Sequence, residues 1–120
     1  MIHRLTMGHL SLDALERRQA IAERPLDQAV ISRLLAELGG VDERGRPTLD
    51  GEPVEEKDGV LTCRWWVAGY RNRVAEEFAL RLQQETGCVL ADVKRCQVVE
   101  PAELVGLTGE SVGTETKRAK

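Results

Sequence analysis

Aromatic side chains are scarce in this chain. Two Trp, one Tyr and one Phe are spread over 120 residues. The core must therefore be built mainly from Leu, Val, Ala and Ile. Nowhere does the sequence hold a run of about 18 apolar residues, so no transmembrane helix is expected. The opening MIHRLTMGHLSL is too polar to supply the apolar region of a signal peptide, and a cytoplasmic location follows as the expectation. The three cysteines include no CxxC pair, which reads as reduced, buried thiols rather than a redox or zinc motif. Histidine is limited to His3 and His9, with no acid close by before Asp13. No metal site is expected from them, and no cofactor motif occurs.

A basic excess is missing too. Lys and Arg number 17 against 20 Asp and Glu, a net charge of −3. A general nucleic-acid binder draws its affinity from surplus cations, so only a local basic patch would serve. The length suits one domain. We expect that domain over residues 1–107, followed by a flexible polar tail over 108–120.

What is present is organised around Gly59–Glu100, which holds all four aromatic residues. Val60–Ala68 reads as a strand. Strict alternation places Leu61, Cys63, Trp65 and Val67 on its core face, and Thr62, Arg64 and Trp66 on the other. Asn72 is suited to cap a helix over 73–86, with Val74, Ala75, Phe78, Ala79 and Leu82 as its buried stripe. Glu76, Glu77, Arg81, Gln84 and Glu85 would form its wet face. Gly87 ends it, and 88–99 reads as a further strand, with a bend near Asp92 and Lys94-Arg95.

Earlier in the chain, 1–10 gives a faint alternation that suits a short strand at most. Ser11 suits the N-cap of a helix over 12–23, which Pro25 stops. The stripe Leu26, Ala29, Val30, Leu34 and Leu38 predicts a second helix over 26–38, closed by Gly39-Gly40 in a left-handed cap. Residues 41–59 carry seven acids and three bases and read as a long solvated loop. A short strand at 52–57 would join the next strand through the Asp58-Gly59 turn.

The expected fold class is α+β. Two N-terminal helices precede a small sheet containing a β-α-β unit: strand 60–68, helix 73–86, strand 88–99. If the two strands are neighbours and parallel, the crossover is right-handed. The alternative is an antiparallel sheet in which the last strand turns away.

The one cluster with chemical character is Arg64, Trp66, Tyr70, Arg71 and Arg73, at the junction of strand, turn and helix. Arginine grips carboxylates and phosphates, and aromatic faces stack on bases or methylene chains. The same composition marks protein–protein hot spots, and it also suits a sheet-covering core edge whose arginines pair with the acidic loop. No catalytic residues are assigned. Adjacent acids such as Glu76 and Glu77 do not oppose one another, and nothing aims a histidine at a cysteine. The leading expectation is a small non-enzymatic binding protein of adaptor, inhibitor or immunity type. It would act through a protein partner or by self-association as a dimer. The alternative is a nucleotide- or nucleic-acid-binding regulator using the Arg/Trp patch. A small enzyme assembled from distant residues is the third class.

Overall fold

A computed structural model describes residues 2–67 and 69–100. The tail at 108–120 and the end of the expected domain lie outside these residues.

The chain does not begin with helices. Its first element is a nine-residue strand, β1 (Ile2–Leu10), followed by a five-residue helix, α1 (Leu12–Glu16), and a short strand, β2 (Ala22–Arg24). Helix α2 (Gln28–Leu38) comes next. The supposed acidic loop contributes β3 (Gly40–Val41), β4 (Pro47–Leu49) and β5 (Glu52–Lys57). Then come β6 (Val60–Val67), β7 (Tyr70–Arg71), α3 (Arg73–Thr86), β8 (Val89–Asp92), a 3₁₀ turn at Val93–Arg95, and β9 (Gln97–Val98).

Among the described residues the strands form one sheet of nine, in the order β3-β4-β5-β6-β1-β8-β9, with β2 beside β1 and β7 beside β6. Every pairing is antiparallel. The expected fold class is therefore corrected. The sheet is large and antiparallel, and β1 lies in its interior. β6 and β8 each pair with β1 from opposite sides. They run parallel to one another but are never neighbours. The expected strand over 88–99 is also broken. Asp92 accepts from the Arg95 N–H at 3.3 Å, the 3₁₀ turn ends at Cys96 with φ 55°, and β9 folds back onto β8.

β1 is longer than the short strand that its faint alternation suits, and that alternation is blurred because residues on both of its faces are buried. Leu5 and Met7 are fully buried under the helices, yet Thr6 on the opposite face is also buried. A strand covered on both sides loses the clean alternation that marks a half-exposed one. The first helix shrinks because it buries only Ala14 and Leu15, leaving Leu12 exposed.

The turns Asp50-Gly51 and Asp58-Gly59 have positive φ at both residues. This is the conformation whose twist matches two-residue hairpins, and it favours Asp-Gly. Gly39 departs from the expected left-handed cap, with φ −100°. Its need for glycine is one of space: a Cβ there would sit 2.6 Å from the Thr48 carbonyl oxygen and 2.9 Å from that of Leu35.

Helices α2 and α3 pack against each other and cover one face of the sheet. Asp27 caps α2 by accepting from Ala29 N–H at 2.9 Å, and Asn72 caps α3 by accepting from Ala75 N–H at 3.0 Å. Leu34 of α2 and Phe78 and Leu82 of α3 join Leu5, Met7, Leu61, Leu90 and Trp65 in the main core. Between the helices, Arg81 pairs with Glu37 at 2.7 Å, and Arg33 pairs with Glu85. Among the described residues, no helix is long and apolar enough to cross a membrane.

Candidate functional site

The register of β6 against β1 decides where the tryptophans go. His3 faces Trp66 and Arg4 faces Arg64, so Trp65 has no partner across the ladder. This is a β-bulge, which inserts one residue and re-aims the side chains beyond it. Trp65 is buried in the main core, and Trp66, half-buried, packs against that same core. Their rings meet edge to face with centroids 6.5 Å apart. Strict alternation, which put Trp66 beside Arg64 on the opposite face, is overturned by this bulge.

Behind the rings lies a buried carboxylate. Glu76 is fully buried in the first turn of α3. Its Oε2 accepts from Trp65 Nε1 at 2.7 Å and from Arg71 Nε at 3.2 Å. Its Oε1 accepts from Arg71 Nη2 at 3.0 Å. Three charge-assisted hydrogen bonds thus offset the cost of taking the carboxylate out of water. The location near the helix N-terminus adds to this. Glu76 therefore does not belong to the wet face of α3. Arg71 in turn lies over Trp66, its Cζ 5.7 Å from the ring centroid, within cation–π range.

On the other side of Trp66 stands His3, edge to face at 6.5 Å. Its Nδ1 lies 3.5 Å from Asp92 Oδ2. Sequence proximity gave no hint of this pair, because the sheet brings together the two ends of the described chain. Trp66, His3 and Asp92 line a cleft of about 450 Å³, together with Gln97 and Val98 of β9. Val98 is exposed on the outer strand.

The five residues singled out from sequence are only partly brought together. Trp66 and Arg71 stack. Arg64 is exposed and turns to β5, its Nη1 3.7 Å from Glu52 Oε1. Tyr70 is exposed and its hydroxyl donates to Asp50 in the β4–β5 turn. That hydrogen bond holds the Tyr70 phenol above its ordinary pKa. Arg73 is exposed at the first position of α3 and makes no ion pair among the described residues.

Cys63 and Cys88 are buried thiols, and Cys96 is half-buried. Burial, reinforced by Glu52, pushes Cys63 up to about 12, and burial also raises Cys88. Both stay protonated near neutral pH. Among the described residues, no three His, Cys, Asp or Glu side chains converge to hold a metal ion.

Comparison with family models, with curated proteins and with solved structures gives no match. The functional reading rests on the geometry alone.

Proposed function

We propose that this chain is a small non-enzymatic binding domain that grips a protein partner at the cleft beside Trp66. The observation that carries the reading is the pre-set Trp66 ring, held between Arg71 and His3 on the wall of a cleft at the outer strand. A partly exposed indole that cannot reorient loses little entropy on binding, and Trp, Tyr and Arg dominate binding hot spots. Exposed Val98 and Arg95, which line the same cleft, supply an apolar and a cationic contact. An extended acidic segment with one apolar anchor complements this surface: the anchor fills the cleft and the acids meet Arg95. The nucleotide alternative at the same patch is weakened by one fact. Arg71 already has its guanidinium committed to Glu76.

The test uses a photo-crosslinking residue at position 97, on the cleft wall, to identify the bound protein, followed by titration of that purified partner. Val98→Asp and Arg95→Gln should each weaken the complex about tenfold or more while leaving the melting temperature nearly unchanged. Sedimentation of the chain alone distinguishes a second copy from a foreign partner. A partner that binds both variants as tightly as the parent would overturn the assignment of the site.

A further inference from the structure

The sheet face turned away from α2 and α3 carries a second concavity, of about 740 Å³, within the size range of small-ligand sites. Its floor is Thr6 of β1 and Thr62 of β6, and its rim is Arg4, Arg18, Lys94 and Arg95. The geometry points to a binding site for a small phosphorylated molecule, with these four cations as its grip. The site goes beyond the protein-docking reading: His3, Asp92 and Arg95 line both cavities, but Arg4, Thr6, Arg18, Thr62 and Lys94 line this one and not the Trp66 cleft.

Several independent features converge on it. None of the four rim cations forms an ion pair among the described residues. Asp92, the one acid in the lining, is buried and already faces His3 and the Arg95 N–H. Arg4 sits directly across the ladder from Arg64. Like charges so placed repel, and a bound anion would relieve the repulsion. Arg64 has Glu52 for partial compensation, whereas Arg4 pairs with no acid among the described residues. Thr6 is buried, and its hydroxyl makes no hydrogen bond among the described residues.

The rim is also held in place. Arg18 has φ 57° and Cys96 has φ 55°. Both are non-glycine residues in the left-handed region, a strain that clusters at ligand sites. Arg18 Nε donates to the Lys94 carbonyl at 3.2 Å, tying the end of α1 to the 3₁₀ turn. This leaves the two terminal nitrogens of Arg18 for a ligand. Three guanidinium forks and an ammonium match a group of several negative charges, such as a diphosphate, better than a single carboxylate.

Calorimetric titration of the full chain with inorganic pyrophosphate, at low and moderate KCl, tests the inference. Saturable one-to-one binding that weakens with salt is the expected result. Arg4→Gln and Lys94→Gln should each lower affinity about tenfold or more, while Arg44→Gln, the same charge change in the β3–β4 turn, should leave it intact. Arg4→Gln should also raise the melting temperature of the ligand-free protein, because it removes the repulsion across the ladder. The absence of binding, an equal loss in Arg44→Gln, or binding of a single-stranded oligonucleotide without any of pyrophosphate would each overturn it. Should Arg4→Gln fail to fold, the comparison of Lys94→Gln with Arg44→Gln decides alone.

Discussion

Glu76→Gln is the sharpest probe of how the Trp junction is held. The amide is the same size and still offers an oxygen to Trp65 Nε1. What it removes is the negative charge facing Arg71, and it turns one acceptor into a donor. Glu76 is wholly buried and the Arg71 side chain is 14% exposed, so water reaches the stranded guanidinium only at its edge. Removing one partner of a buried ion pair costs about 3–5 kcal/mol. The slight access of Arg71 to solvent places the expected loss near ~3 kcal/mol. That is a large share of a stability of about 5–15 kcal/mol. In urea unfolding followed by Trp fluorescence, the midpoint should fall by about 1–3 M. The double variant Glu76→Gln with Arg71→Met removes both charges and should recover much of the loss, since replacing a buried pair outright is often close to neutral. A single-variant cost below about 1 kcal/mol, or a double variant that loses the sum of both singles, would show that the pair is not coupled as the geometry requires.

Two further outcomes follow. Gly39→Ala should destabilise by about 1–3 kcal/mol in the same assay, because its new methyl meets two backbone carbonyls that cannot swing aside; a neutral result would mean that β4 and α2 are less firmly apposed. Tyr70 is the single tyrosine of the chain, so tyrosinate absorbance reports it without assignment. Its titration should lie above that of the unfolded chain, and Asp50→Asn should bring it down. The folded state favours the neutral phenol, so the contribution of this hydrogen bond is present below the ordinary tyrosine pKa and is lost as pH rises past it. An unchanged titration in Asp50→Asn would refute the contact.

The sequence made some parts of this molecule legible and hid others, for identifiable reasons. Helix α3 spans the range its apolar stripe and the Asn72 cap predict, because one face is buried and the other wet. The Asp58-Gly59 turn was readable from a dipeptide, whereas the matching Asp50-Gly51 turn was obscured by the surrounding charges. The bulge was not readable: Trp65 is out of pair only relative to β1, and β6 alone carries no sign of it. That single slip moved Trp66 to the other face and with it the composition of the site. Glu76 was misplaced because a carboxylate in a first helical turn is usually solvated, and only the arrival of Trp65 and Arg71 makes its burial tolerable. The His3–Asp92 contact and the cationic groove depend on the sheet order, which no local pattern encodes.

The position of β1 has a kinetic corollary. This interior strand is translated before the strands that flank it, and apart from a short pairing of His9 and Leu10 with β2 its two edges are satisfied by Val60–Val67 and Val89–Asp92. Such distant pairings demand costly loop closure before they are rewarded. During synthesis, Leu5 and Met7 therefore emerge as a ribbon with two open sides. Substitutions that weaken β8 should slow folding out of proportion to their effect on the finished molecule, and should lengthen the interval in which that ribbon can pair with another chain.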